Sequence, residues 1–450
     1  MTFFELQELV FNAGIVGAGG AGFPTHKKLS NKVQTIIVNA AECEPLLQVD
    51  YFLMKKYYKK IIQTLDVLVN ILGADKGYIA YKKNKLERSV FEKVLGETSG
   101  NIEIKEIPDI YPAGDEIILT YEVTGKIIPE GNIPLSVGVV VLNVETLFNI
   151  SNAMEGKAVT HKYVTVTGEI DHPVTVCVPV GTPVKQLLQE LGIQHFEGFD
   201  VISGGPLMGN ICDIENEFIS KLTKGIVILP SNHSLIQKKK IKASNAYKRA
   251  SSACCQCSAC TDMCPRYLIG YSIEVHKTVR TVVNDITGTV QPYLNTLSCS
   301  GCGVCDYYAC TQDIHPRAIC LEVKKQVQMA GLKRATGNAP EQVRNERKWR
   351  MIPSKRIIER CALGKYDRKG IFKEEPFESR LVVISLKQHV GQPAVPVVKP
   401  GDKVCKGQLI GKADIKQISA NIHASIDGTV LEVSTDSITI ASMRMEAVEQ

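Results

Sequence analysis

Long apolar runs are missing from this chain of 450 residues. No stretch of eighteen apolar residues occurs, so no membrane span is expected. A secretory leader is not expected either, because Met1-Thr-Phe-Phe-Glu5 shows no basic segment ahead of an apolar core. Structural disulfides would need an oxidising compartment, and nothing here points to one. Charge of one sign is also scarce, at a net +6. Basic residues cluster at Lys238-Lys-Lys240 and between Lys324 and Lys373. A solvated linker is the ordinary reading of such clusters; an acidic partner or a membrane surface is the sharper one. No recognition motif accompanies them, so nucleic acid is not an expected partner. A hydrophobic content of 44% is ordinary for a chain with sizeable cores, and the length suggests two to four domains.

Cysteine is plentiful, with 15 in the chain, and eight of them fall in two tight runs. The first is Cys254-x-x-Cys257-x-x-Cys260-x-x-x-Cys264-Pro265; the second is Cys299-x-x-Cys302-x-x-Cys305-x-x-x-x-Cys310. Three thiolates at intervals of three wrap one corner of a cubane, and a fourth further on closes its coordination. The first run has the bacterial ferredoxin spacing of a [4Fe–4S] protein. Zinc sites use two C-x2-C pairs for one ion, whereas each run here supplies four thiols by itself. Two runs imply two [4Fe–4S] clusters, and two clusters imply electron transfer. The fourth cysteine of either run can serve its own cluster or the other one. Cys255 breaks the spacing to Cys257 and is not expected to be a ligand. Cys43, Cys177, Cys212, Cys320, Cys361 and Cys405 are scattered and read as structural.

The chain is expected to be a multidomain α/β protein. Residues 1–155 alternate helix and strand, with helices over Phe4–Asn12, Asp50–Leu72 and Arg88–Leu95 and a near-continuous apolar strand at Val137–Leu142. That pattern predicts an α/β domain with a mainly parallel sheet. Residues 156–235 change to period two, with a hairpin and a helix after Thr182-Pro183, and predict a β-grasp domain. Thr182 is the candidate N-cap of that helix and Pro183 its first residue. Residues 245–328 predict a helical, ferredoxin-like two-cluster domain, helical through Leu268–Asn284. Residues 329–376 read as a basic linker, and 377–450 as an all-β barrel-sandwich.

Gly17, Gly19, Gly20 and Gly22 form a loop whose backbone N–H groups can approach an anionic or flat ligand. The string also fits G-x-G-x-x-G, but a helix rather than a strand precedes it, which disfavours a Rossmann dinucleotide fingerprint. A tight structural turn is the plain alternative. Lys27-Lys28 follows, and lysine suits phosphate.

Four motifs in order then carry a resemblance: Gly20-Ala-Gly-Phe-Pro-Thr25 with Lys28, Val38-Asn-Ala-Ala-Glu42-x-Glu44-Pro45, Gly114-Asp-Glu116, and Asn143-Val-Glu-Thr146-Leu147. They resemble the FMN- and NADH-binding flavoprotein subunit of respiratory complex I. The segment after them resembles its soluble-ligand-binding β-grasp domain, and residues 379–434 resemble the barrel-sandwich domain of the Rnf complex C subunit. That barrel is N-terminal in Rnf C and C-terminal here. This order is similar to the cobalamin reductases of propanediol-utilisation microcompartments. Two positions depart from complex I flavoproteins: Leu142 stands for an Asn, and Asp115 for a Glu.

The resemblance implies that the glycine loop and Lys28 hold the FMN phosphate and ribityl. Asn39 and Asn143 would hydrogen-bond the flavin, Phe23 would stack on a ring and Thr146 would contact phosphate. Glu42, Glu44 and Glu116 would be the catalytic acids of the flavin and nicotinamide pocket. It further implies NADH as donor and cobalamin, or a cobalamin-handling protein, as partner. The expected location is the cytoplasm, including the interior of a microcompartment with its shell proteins. The runner-up is a peripheral NADH-oxidising subunit of an Rnf-type electron-transport complex at the membrane. A zinc-stabilised nucleic-acid-binding protein is the third reading, separated from the others by the colour of iron–sulfur clusters.

Overall fold

The computed structural model describes residues 1–83, 89–334 and 339–443. Arg88 and residues 444–450, to which the expectations above extend, lie outside them. α1 (Phe3–Asn12) opens with a capping box: Thr2 Oγ1 accepts the Glu5 N–H and the Glu5 carboxylate accepts the Thr2 N–H. Then come α2 (Thr25–Lys28), β1 (Thr35–Ala40), α3 (Val49–Leu72), β2 (Lys76–Lys82), α4 (Ser89–Leu95), β3 (Ile102–Ile107), β4 (Ile110–Tyr111), α5 (Glu116–Thr124), β5 (Val139–Asn143) and α6 (Val144–Met154). Strands β3-β2-β1-β5 form a parallel sheet in that order.

The strands read as unbroken apolar runs because both faces are covered. Ile36, Val38, Val140 and Leu142 pack in one core with Val10, Leu53, Leu65 and Leu147 of α1, α3 and α6. Ile37, Val139 and Val141 pack in a second core with Leu119 and Val123 of α5. β1 and β5 are neighbours, so their carboxyl ends, Asn39 and Asn143, lie side by side, the usual ligand side of a parallel sheet.

A second sheet takes β6 (His161–Gly168), β7 (Val174–Pro179), then after α7 (Val184–Glu190) β8 (Phe199–Ser203), β9 (Asn210–Cys212) and β10 (Gly225–Pro230). β6 and β7 are a hairpin, and β10 runs parallel to β6. Thr182 does not cap α7. Its hydroxyl donates back to the Pro179 carbonyl (2.8 Å), and Pro183 takes the cap position without a side-chain bond.

The cysteine runs lie among α8 (Ser234–Lys239), α9 (Ala243–Ala253), α10 (Ala259–Asp262), α11 (Pro265–Leu268), α12 (Val275–Val283), α13 (Gln291–Leu294) and α14 (Pro316–Met329). The helix expected across Leu268–Asn284 is broken at Gly270. Gly270 has φ +111°, and a Cβ there would stand 2.7 Å from the Pro340 ring.

Residues 329–376 are not a free linker. They carry α15 (Arg347–Arg350), β11 (Ile352–Pro353), α16 (Ser354–Arg360) and β12 (Ile371–Lys373). β11 pairs with β4 of the first domain, and β12 joins the second sheet beside β7, giving the order β12-β7-β6-β10-β8-β9. The basic side chains act as staples. Arg347 pairs with Glu122, Lys365 with Glu169 (2.8 Å), and Arg368 donates to the carbonyls of Gly168, Ile170 and Asp171.

The C-terminal unit is two small sheets, built from β13 (Leu381–Ser385), β14 (Val395–Pro396), β15 (Lys403–Val404), β16 (Leu409–Lys412), β17 (Ile422–His423), β18 (Gly428–Val433) and β19 (Ser437–Ser442), ordered β13-β19-β18-β15 and β14-β16-β17. It packs beside the glycine loop. The Val390 N–H donates to the Gly22 carbonyl (3.0 Å), and Lys27 Nζ donates to the Lys416 carbonyl (3.1 Å). Buried Lys221, from the segment before β10, donates to the carbonyls of Gly14 (2.7 Å) and Asn421 (2.9 Å), so one ammonium joins three units.

Candidate functional site

The glycine loop lies between α1 and α2, after a helix and not after a strand, so it is not a Rossmann fingerprint. It closes on itself: the Gly17 N–H donates to Phe23 O (2.9 Å) and the Gly22 N–H to Gly17 O (3.3 Å). The Ala18 peptide is held from both sides. Its N–H donates to Thr146 Oγ1 (2.9 Å), and its carbonyl accepts from Lys162 Nζ (3.2 Å). Lys162 is ion-paired with Glu145, and both side chains are almost wholly buried. Gly19 stands over Asn143, and around Gly20 (φ +105°) a Cβ would find nothing within 4 Å. Among the described residues, the N–H groups of Gly19, Gly20 and Ala21 donate no hydrogen bond, and all three residues are exposed. Unused amides on a rigid loop above the carboxyl ends of β1 and β5 fit a phosphate-bearing, flat cofactor such as FMN.

The residues expected to line this site have the following places. Asn39 pins the 114 turn, its Nδ2 donating to Gly114 O (2.9 Å) and its Oδ1 accepting from Ala41 N (3.1 Å). Asn143 caps α6, its Oδ1 accepting from Glu145 N (2.9 Å), and its Nδ2 donates to the Asp50 carboxylate (3.0 and 3.1 Å). Thr146 serves the loop itself. Phe23 is half-buried at the loop's end. Lys28 pairs with Glu116 at 2.5 Å across the mouth of the loop, both partly exposed.

The three acids are not gathered on one partner. Glu42 accepts from Tyr51 N (3.0 Å) and lies 3.2 Å from Lys224, which also binds Asp50. Burial pushes the Glu42 carboxyl up, against the pull of Lys224. Burial also works against the Lys224 charge, but Asp50 and Glu42 outweigh it and hold the ammonium. Glu44 accepts from the amides of Leu207 (2.8 Å) and Met208 (3.1 Å), and burial pushes it up too.

Two contacts lead from here to the cysteines. Tyr111 Oη lies 3.1 Å from Glu44 and 2.7 Å from the Cys302 carbonyl. Asp115, which caps α5 through Ile117 N (3.0 Å), binds Arg266 (2.8 Å), two residues after Cys264.

The cysteines line two cavities. One holds Cys254, Cys257 and Cys260 together with Cys310, beside Cys255 and His276. The other holds Cys299, Cys302 and Cys305 together with Cys264, and also Cys320. Each run therefore sends its fourth cysteine to the other run's cavity. The extra residue of the second run is absorbed by a π-helical turn over Val304–Ala309, in which the Cys310 N–H reaches back to Cys305 O (3.2 Å). Burial pushes the thiols of Cys260, Cys264 and Cys302 up to about 12, so thiolates there need a cation in the cavity. Four inward thiols per cavity fit a [4Fe–4S] cluster in each. Cys257 is exposed, whereas Cys264 and Cys302 are buried.

Sequence reasoning missed Asp50, Glu145, Lys162, Lys221, Lys224 and the place of Cys320. Lys162 did leave a signal, since it falls on the buried parity of β6 with Val164 and Val166, where a charge is out of place.

Residues 10–152 match the family described as the Nuo51 FMN-binding domain, 253–315 a 4Fe-4S dicluster domain, and 369–449 the RnfC barrel sandwich hybrid domain. The chain is 37% identical over 436 residues to the cobalamin reductase PduS of Citrobacter freundii, covering 97% of this chain and 96% of that one. Against the cobalamin reductase PduS of Salmonella typhimurium it is 37% identical over 440 residues, with the same coverage. The RnfC-type component of the Na(+)-translocating ferredoxin:NAD(+) oxidoreductase complex of Acetobacterium woodii is 34% identical over 270 residues, 58% of each chain.

Proposed function

We propose, from the fact that this chain belongs to the PduS cobalamin reductase family, that it is an oxidoreductase taking electrons from NADH and delivering them singly to cob(II)alamin. The observation that carries this is the line of sites from the glycine loop, through the Glu44–Tyr111 contact, to a buried four-thiol cavity and then an exposed one. Bound FMN would convert a hydride pair into single electrons, and a [4Fe–4S] cluster in each cavity would carry them.

The protein's own part is positional. Gly19, Gly20 and Ala21 offer amides to phosphate, with Lys28 at the mouth. Thr146 and Lys162 fix the loop, while Glu42, Glu44 and Glu116 place carboxylates around the crevice. Tyr111 and Arg266 seat the buried cavity against the first domain. The second sheet reads as the β-grasp domain, and Lys224 carries its charge into the crevice. Exposed Cys257 marks the face where an acceptor, cobalamin or a cobalamin-handling protein, would dock.

The test is anaerobic purification, iron and acid-released flavin analysis, then NADH titration with cob(II)alamin. FMN, about eight irons per chain and NADH-dependent cob(I)alamin are expected. Absence of cob(I)alamin from fully loaded protein would overturn the reading. Cys257→Ser should keep NADH-dependent dye reduction and lose most cobalamin reduction. Cys255→Ser should keep full iron, whereas Cys254→Ser should lose a cluster.

A second reading rests on the RnfC barrel and the Acetobacterium relative: a peripheral subunit of an electron-transport complex. No helix among the described residues is long and apolar enough to cross a membrane, so that role would need a membrane partner. Assays with and without membranes separate this role from one within a microcompartment.

A further inference from the structure

We propose that Cys320 is a fifth, non-ligating thiol of the buried cavity, donating its S–H to the sulfurs there and setting the potential of that site. α14 brings it to this place. Arg317, Cys320 and Lys324 are spaced by three and four residues and share one helix face. Arg317 Nε donates to the Gly301 carbonyl (2.9 Å), and Lys324 Nζ donates to the Cys299 carbonyl (2.7 Å). The helix is thus clamped on both sides of Cys320 against the loop that carries the second run. Cys320 is 1% exposed and lines the cavity with Cys264, Cys299, Cys302 and Cys305.

Five thiols share a cavity that needs four. A cubane offers one outer position per iron, and the second run with Cys264 fills all of them. Both nearby cations are spent on backbone carbonyls, so a buried thiolate at Cys320 would be unpaired and costly. The group stays S–H. Among the described residues its thiol makes no hydrogen bond to the protein, which leaves the sulfurs of the site as acceptors. Donors to cluster sulfurs stabilise the added negative charge of the reduced state and raise the potential. The extra cysteine of the other cavity, Cys255, is exposed and has water for a partner. The two sites are therefore tuned unequally by chemistry of the same kind.

This inference rests on the proposed [4Fe–4S] occupancy of the buried cavity, which the iron and sulfide content of the wild-type protein tests separately. The deciding experiment is an anaerobic redox titration followed by EPR on the full chain, comparing wild type, Cys320→Ala and Cys320→Ser. The midpoint lost in Cys302→Ser identifies the buried site. Cys320→Ala should keep full iron, and at the wild-type midpoint its ratio of reduced to oxidised buried cluster should fall about tenfold, which for one electron is about 59 mV. The other midpoint should not move. Cys320→Ser, which keeps an O–H donor, should titrate at or above wild type. Loss of iron in Cys320→Ala would make Cys320 a ligand, and wild-type midpoints in both variants would make it packing; either overturns the proposal. If Cys320→Ala does not fold, a fall of the midpoint in iron-replete Cys320→Ser overturns it as well.

Discussion

Lys224 sits between two carboxylates, Glu42 and Asp50, and the latter is 2% exposed on its side chain. Removing one partner of a buried ionic group leaves the others uncompensated, at a cost of about 3–5 kcal/mol. Lys224→Met should therefore lower the denaturation midpoint by about that much and weaken FMN retention, both measurable on the purified protein. The double change Lys162→Met with Glu145→Gln should cost less than either single change, because no lone charge is left behind. Gly22 has φ +64°, and a Cβ there would meet Leu222 at 2.9 Å. Gly22→Ala should cost about 1–2 kcal/mol from the left-handed backbone alone, and its flavin occupancy should fall. At this scale the sequence was unequally legible. The glycines and cysteines show in spacing, because their function is local. Asp50, Lys221 and Lys224 do not, because each works across a domain boundary, and nothing local distinguishes such a lysine from a solvated one.

Among elements, the parallel strands were legible because two-sided burial demands unbroken apolar runs such as Val139–Leu142. The short pairings β4–β11 and β7–β12 were not, since strands of two or three residues carry no period. The junction of the C-terminal sheets with the glycine loop has its own pH signature. Burial lowers His26 to about 4 and His423 to about 3, and lowers His389 too. These rings stay neutral in the fold, while the unfolded chain protonates near 6.5. The unfolded state thus binds more protons below that value, and stability present above pH 6.5 is lost as pH falls towards about 4. Lys221, lowered to about 7 by burial, acts with the same sign at higher pH: stability rises from about 7 towards 10.5 as the unfolded chain keeps its proton. Melting curves across pH should show both slopes in wild type. His423→Asn should flatten the acid one, and Lys221→Met the alkaline one.

For the whole molecule, the order of sites predicts where a lesion blocks electron flow. Changes at the exposed cavity, such as Cys257→Ser, should spare NADH oxidation by dyes. Changes to the clamp at Thr146 or Lys162 should slow both dye and cobalamin reduction through flavin loss. Thr146→Val, which removes the acceptor of the Ala18 N–H, should reduce the flavin-to-protein ratio and both rates in proportion. The domain sequence was readable from composition shifts and motif order. Its interlocking was not, because the basic segment 329–376 reads as solvated charge until its partners, Glu122 and Glu169, are seen.

β12 closes the edge of a sheet whose neighbouring strand, β7, left the ribosome roughly 200 residues earlier; at about 5–20 residues per second, that edge waits roughly 10–40 seconds. Both cysteine runs emerge inside this interval. The nascent chain therefore presents all eight thiols to the iron–sulfur loading machinery while an unpaired strand is still open to aggregation. Starvation for iron during synthesis should show itself as insoluble protein, and not only as a soluble protein without its colour.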